Sequence, residues 1–308
     1  MKMKTAAVLG AGAVGSYFIW GLQPKLGDDF WIIADGSRKE RLERQGVTIN
    51  GTTLYPRVKT PAESRGVDLL LVATKAGALP GALEDIAAAV GEHTAVMTLL
   101  NGVTSEELAG RRIGMEHMVH SMMKIASRRT AEGTAFDAEA TPGLFYGEPA
   151  SPVPTERMRA IEELLSGTGL HCQMRPDILT VMWEKFIYNV SANLPQAILG
   201  CGIGAYEDSL YAAEIVENLR KEAEAVARAR GIRLPEGSDI GKRGSASKSA
   251  RYSTLQDLDA GRHTEVDIFA GAVVEMGREL GIETPWCRFA WAAIHALEEK
   301  NDGKFNYD

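Results

Sequence analysis

The segment Trp183-Glu184-Lys185-Phe186-Ile187-Tyr188-Asn189-Val190-Ser191-Ala192-Asn193 sets three polar side chains four residues apart among apolar neighbours. Residues four apart on a helix lie over one another, so Lys185, Asn189 and Asn193 are expected to present an ammonium and two amides from one face. The bland alternative is a solvated stripe on a surface helix, but such a stripe normally carries more charge than two asparagines supply. A second polar cluster has Ser253 and Glu265 flanking Gln256-Asp257-Leu258 and His263-Thr264. Taken alone, it reads as helix caps and surface charge.

Another set can bind phosphate. Gly10-Ala11-Gly12-Ala13-Val14-Gly15 matches G-x-G-x-x-G, follows the apolar run Ala6 to Leu9 and precedes a helix-length segment. Gly10 permits the tight turn, Gly12 lets backbone approach a pyrophosphate, and Gly15 allows close packing of helix on sheet. The helix amino terminus then offers free amides to the phosphates. Asp35 ends the second apolar run at the spacing where an acid binds an adenosine ribose, which favours NAD. Ser37, Arg38 and Lys39 follow at once and are donors for a 2′-phosphate, so the charges at this point conflict.

The elements around these residues alternate short apolar runs with amphipathic stretches, the pattern of a parallel sheet with helical crossovers. Strands are expected at Thr5 to Leu9, Phe30 to Ala34, Val67 to Ala73 and Ala95 to Leu100, with the first helix opening at Val14. Further strands are expected at Met115 to Ala126, Gly143 to Tyr146 and Gly169 to Met174, and a helix over Glu156 to Leu165. Beyond Pro176 the pattern turns helical, as in Tyr211 to Arg230, Glu265 to Leu280 and the apolar stretch Phe289 to Leu297. The fold class is α/β: a Rossmann-type parallel-sheet domain over 1–175 and a mainly helical domain over 176–308. Residues 231–249, rich in Gly, Ser and Lys, form a loop or a lid over the site.

Composition narrows the partners. The 308 residues carry a net charge of -7, which lacks the clustered basic excess that nucleic acid requires, and a small-molecule substrate fits better. No apolar run approaches the length of a membrane span. The two lysines before the first apolar run imitate a signal peptide, but three closely spaced glycines break that run. Cys172, Cys201 and Cys287 fit neither a disulfide framework nor a C-x-x-C motif, which places the chain in a reducing cytoplasm. No metal is expected: His117 and His120 should fall on opposite faces of a strand, with no further ligand cluster. The helical half offers a surface for a homodimer, although Phe289 to Leu297 reads equally well as core.

These motifs together resemble the ketopantoate reductase family. The resemblance rests on VLGAGAVGSYF, VATKAG, LLNGV, WEKFIYNVSAN and STLQDLDAGRHTEVD, and it covers nearly the whole chain. It implies a two-domain enzyme that reduces the ketone of 2-dehydropantoate with NADPH on the route to pantothenate and coenzyme A. It also implies that Lys185 is the general acid, that Glu265 binds the substrate hydroxyl, and that Asn189, Asn193 and Ser253 position the substrate. Asn101 and Lys75 would face cofactor and substrate from strand ends. Such roles suit the chemistry, since hydride addition to a ketone builds negative charge on oxygen, which an ammonium can stabilise and protonate. One departure concerns the cofactor: Asp35 stands where NADPH-using members typically carry an arginine, so NAD(H) competes with the NADP(H) that the resemblance implies. Other short 2-keto acids are alternative substrates on the same fold. A non-catalytic dinucleotide sensor is a further alternative, disfavoured by the joint presence of Lys185, Asn189, Asn193 and Glu265.

Overall fold

The computed structural model describes residues 2–149, 151, 153–235 and 247–307. Residues 236–246, the middle of the stretch expected to be a loop or lid, lie outside the described residues. The chain divides into two compact units, Met1–Ile178 and Leu179–Asp308.

In the first unit β1 (Ala6–Leu9) leads into α1 (Ala13–Leu26), and β2 (Phe30–Ile33) into α2 (Gly36–Gln45). Three short strands follow: β3 (Val47–Ile49), β4 (Thr52–Leu54) and β5 (Arg57–Lys59). Next come β6 (Leu69–Val72), α3 (Leu79–Ala89), β7 (Ala95–Thr98) and α4 (Ser105–Ile113). The unit closes with β8 (His120–Lys124), β9 (Ser127–Thr130), β10 (Gly133–Phe136), β11 (Gly143–Gly147), α5 (Glu156–Leu165) and β12 (Cys172–Met174).

Five of these strands form a parallel sheet in the order β5-β2-β1-β6-β7, with Ala6 in register with Phe30 on one side and Leu69 on the other. The residues of β1, β2, β6 and β7 are all buried because helices cover both faces of this sheet. Ala6 and Val8 pack among Tyr17, Phe18 and Leu22 of α1 and Ile161 of α5. Their neighbours Ala7 and Leu9 point the other way, among Leu79 and Ile86 of α3 and Ala109 of α4. Fully burying each such leucine, isoleucine or phenylalanine contributes about 1.5–3 kcal/mol.

Two small sheets were not legible as such: β4-β3-β10-β9, and β12-β11-β8, in which β11 runs antiparallel to β8 and parallel to β12. The strand expected over Met115 to Ala126 is confined to β8. Gly114, at φ 98°, ends α4, and Met115–His117 forms a short 3-10 turn where the strand was expected to begin. His117 therefore lies off the strand, its Nδ1 2.9 Å from the Thr94 carbonyl, so the expected opposite-face placement with His120 does not hold.

The second unit is helical. It comprises α6 (Ile178–Tyr188), a π turn at Asn189–Asn193, α7 (Leu194–Leu199), α8 (Ala205–Asp208), α9 (Leu210–Ala229), α10 (Ser253–Asp259), α11 (Ala270–Leu280) and α12 (Pro285–Asn301). Its core joins Phe186, Ile187, Val190 and Leu194 to Leu219, Val226, Val273 and Ile294, all nearly inaccessible. The helix expected from Glu265 to Leu280 is interrupted. Val266–Ile268 forms a 3-10 turn, and the buried Phe269, at φ −104° and ψ −92°, leaves helical geometry before α11 begins.

Candidate active site

The carboxyl ends of β1, β2, β6 and β7 share one edge of the parallel sheet, and that edge carries Gly10, Asp35, Lys75 and Asn101. The glycines of the first loop answer different demands. Gly10 has φ 106°, and a Cβ there would lie 2.6 Å from the Ala73 carbonyl oxygen. A Cβ on Gly15 would lie 1.9 Å from the Gly10 oxygen, so the protein's own packing excludes a side chain at both positions. At Gly12 an added Cβ would meet no heavy atom within 4 Å. The space above Gly12 thus suits a group brought from outside the chain. Helix α1 starts beneath it with Gly12 as cap, no capping side chain and no acid in its first turn, which leaves amides for an anion. Ala13 opens this helix, while Ala11 and Val14 pack against the core of the unit.

Thr74, just past β6, has a buried Oγ1 with no hydrogen-bond partner among the described residues. An orphaned hydroxyl beside the glycine loop is a second sign that the edge is built to meet a polar ligand. Sequence reasoning missed it, because a threonine at a strand end carries no signal of its own. Lys75 is exposed and caps the turn Ala76–Ala78, and Asn101 is half-buried on the bend after β7.

At the end of β2, Asp35 is exposed and caps α2, its Oδ1 accepting the Gly36 N–H at 2.7 Å. Lys39 turns away to Glu63, Nζ to Oε2 3.1 Å. The Thr60 amide and then Lys39 hold the Glu63 carboxyl down at about 2, so it stays charged. Arg38 is exposed and forms no ion pair among the described residues. Across from Asp35, on α3, partial burial and then the charge of Asp35 raise the Asp85 carboxyl above its ordinary value. Of the two cations read as donors for a 2′-phosphate, Lys39 is paired with Glu63 and Arg38 forms no ion pair among the described residues, and a second carboxylate, Asp85, lies near Asp35.

The helix that follows the Asn101 bend carries a buried acid in its first turn. Glu106, in the first turn of α4, is only 2% exposed; its Oε2 lies 3.0 Å from the Ser105 hydroxyl, itself 3.0 Å from the Thr98 hydroxyl. Burial drives this carboxyl up to about 7, against the pull of hydrogen bonds from its own amide, Thr98, Ser105 and the Ser121 amide.

In the second unit, Lys185 stands on α6 and Asn189 and Asn193 bound the π turn, Asn193 donating to the Asn189 amide oxygen at 3.4 Å. The polar row is thus helical throughout but not a plain α-helix. Pro195 lacks the N–H that would bond four residues back, and the widened turn takes up the mismatch; such π turns are frequent at functional sites. Asn193 is buried at 4% exposed, and Lys185 and Asn189 are half-buried.

Ser253 opens α10, which packs against the π turn and α7. Its approach is fixed by Gln196, fully buried, which donates to the Ala250 carbonyl at 2.8 Å and accepts from the Tyr252 amide at 2.5 Å. The Tyr252 and Tyr188 hydroxyls meet at 2.7 Å. Burial and then this contact push the Tyr188 phenol above its ordinary value. The fold therefore brings Lys185, Asn189, Asn193 and Ser253 onto adjoining elements. Glu265 lies on a separate turn before α11, packed on α11 and α12.

Comparison with known proteins gives this arrangement a family. The family model described as ketopantoate reductase PanE/ApbA matches residues 6–147, and that of the ketopantoate reductase PanE/ApbA C terminal matches residues 177–298. A curated relative named 2-dehydropantoate 2-reductase, from Mesorhizobium japonicum, is 29% identical and covers 94% of this chain and 96% of its own. Among solved structures, a PanE/ApbA family ketopantoate reductase from Ralstonia eutropha superposes with a TM-score of 0.82 at 23% identity, covering 97% of this chain and 99% of its own. D-mandelate dehydrogenase, solved with NADH and anilino(oxo)acetate, has the same fold at a TM-score of 0.80 and 22% identity, with the same two coverages. With both halves matched by models of one family and the fold shared along its length, the chain belongs to the ketopantoate reductase family.

Proposed function

We propose that this chain reduces the ketone of 2-dehydropantoate to the alcohol of pantoate, with a nicotinamide dinucleotide as hydride source, on the route to pantothenate and coenzyme A. The observation that carries this function is the Lys185, Asn189, Asn193 and Ser253 set on adjoining elements of a chain whose two halves both match the family. The amino-terminal unit would hold the dinucleotide over Gly10–Gly15, with Asp35 toward the ribose and Lys75 and Asn101 toward the reacting end. When bound, the nicotinamide supplies the hydride. Charge builds on the ketone oxygen as the new C–H bond forms, and the Lys185 ammonium both stabilises it and gives up the proton. Asn189, Asn193 and Ser253 orient the substrate by hydrogen bonds, and Glu265 accepts one from its hydroxyl.

The preferred cofactor in this proposal is NADH. The resemblance alone pointed to NADPH, and Arg38 could meet a 2′-phosphate. Asp35 and Asp85 oppose that phosphate, however, and Lys39 is paired with Glu63. The protein works in the cytoplasm; among the described residues no helix is long and apolar enough to cross a membrane. A second copy could dock on α12, where Phe289 is 59% exposed.

A related substrate is the second reading, since the fold also serves D-mandelate dehydrogenase. A panel of keto acids assayed with NADH and with NADPH separates the two. Reduction of 2-dehydropantoate with the highest kcat/KM supports the proposal. A clear preference for an aryl or unbranched 2-keto acid replaces it with the second reading.

A further inference from the structure

Glu265 is flanked by two residues that α12 holds. On one side, the Thr264 amide and hydroxyl donate to Glu298 Oε1 at 2.6 and 2.7 Å. On the other, Asp267 Oδ1 accepts from the Trp291 indole at 2.7 Å. Between the two carboxylates stands His295, its Nδ1 2.8 Å from Glu298 Oε2 and its Nε2 3.0 Å from Asp267 Oδ1. Trp291, His295 and Glu298 are spaced four and three apart, so they share one helix face, and the two rings meet edge to face with centroids 4.6 Å apart.

A neutral imidazole has one N–H and one lone pair, so it can donate to only one of these carboxylates. The imidazolium donates to both. Loss of the proton would set a lone pair against a carboxylate oxygen, and one contact must open. Glu298 is 3% exposed and already bound to Thr264, whereas the Asp267 side chain is 72% exposed, so the Asp267 contact is the one released.

We propose that His295 is a positioning residue for Glu265: as an imidazolium it ties Asp267 to Glu298 and so fixes the turn from which Glu265 meets the substrate hydroxyl. The inference rests on the role proposed for Glu265. The titratable groups that face His295 are Asp267 on that turn and Glu298 on its own helix; farther out, His263 lies 3.8 Å from Glu298 and 3.1 Å from Asp302. From α7, α9, α10 and α11 no hydrogen bond or ion pair reaches His295 among the described residues. Partial burial works against the charge, but the two carboxylates outweigh it and raise the His295 pKa above the ordinary 6.5. The His295–Asp267 contact is therefore made below that raised value and lost as pH rises through it, which leaves Asp267 held to α12 by the Trp291 indole alone.

The experiment measures KM for 2-dehydropantoate and Kd for the dinucleotide between about pH 6 and 9, in wild type and in His295→Gln, with an NMR titration of the His295 ring. The expected result is a wild-type KM that rises about tenfold with the His295 titration while dinucleotide Kd stays level. In His295→Gln, KM should sit at the high value throughout, with kcat little changed. Asp267→Asn, a milder variant, should lower the His295 pKa and flatten the KM profile. A His295 pKa at or below 6.5, or a KM profile identical in wild type and His295→Gln, overturns the proposal. Glu265→Ala distinguishes the two failures: if it leaves KM unchanged, the Glu265 role falls and the positioning role with it; if it raises KM while His295→Gln does not, only the positioning role falls.

Discussion

Glu106 offers a test of the packing behind the candidate site. Its carboxyl is enclosed by Thr98, Ser105 and the β8 backbone, and no lysine or arginine pairs with it among the described residues. Burial lifts it from the ordinary 4.5 to about 7, so the folded state binds this proton more tightly than the unfolded state does. The sign follows: the contribution to stability is fully present below about 4.5 and is lost as pH rises through about 7. Each tenfold gain in proton affinity is worth about 1.36 kcal/mol, so the loss is on the order of 3 kcal/mol, most of it between about pH 5 and 8. Glu106→Gln replaces the carboxyl with a neutral amide of the same shape and cannot show this loss. Urea denaturation of both proteins at the two pH values isolates the effect, because every other titrating group cancels in the difference. The variant should gain about 2–3 kcal/mol on wild type as pH rises, read as a shift of midpoint at constant slope. Parallel pH profiles would refute the reasoning and place the Glu106 carboxylate in a solvated or ion-paired environment.

Three further outcomes are expected. Gly12→Val should fold as wild type, since a Cβ at this position meets no heavy atom within 4 Å, yet lose dinucleotide binding in a fluorescence titration; unchanged affinity would remove the pyrophosphate from this loop. Asp35→Ala should weaken NADH binding about tenfold while NADPH binding holds or improves, at a cost of about 1 kcal/mol for the lost α2 cap; equal weakening of both would mean that Asp35 does not read the ribose. Lys185→Ala should lower kcat by about 100-fold with dinucleotide affinity nearly unchanged, and a near-normal kcat would move the proton-donor role elsewhere.

Much of this molecule can be read from its sequence where the cause is local. The glycine loop is legible because turn, approach and packing each exclude a side chain at a fixed offset. The four principal strands are legible because a sheet covered on both faces demands unbroken apolar runs. Strands of three residues such as Arg57–Lys59, with only Val58 buried, carry no such run and were missed. The Lys185-Asn189-Asn193 row was readable as a helix face, but four-residue spacing is shared by α and π turns, so the widened turn was not. Least legible were the supports of the site. Glu106 reads in sequence as an ordinary first-turn acid, and the His295, Glu298 and Asp267 contacts join segments about thirty residues apart, a pairing set by how α12 folds back and by no local pattern.

The most direct test of the central claim follows the hydride itself. The purified protein is incubated with 2-dehydropantoate and NADH bearing deuterium at both hydrogens of nicotinamide C4, and the product is examined by mass spectrometry and NMR. Pantoate carrying a single deuterium, on the carbon that was the ketone, is the predicted result. Absence of pantoate with either NADH or NADPH, while another keto acid is reduced, would contradict the assignment of substrate; pantoate without deuterium would contradict direct hydride transfer from the nicotinamide.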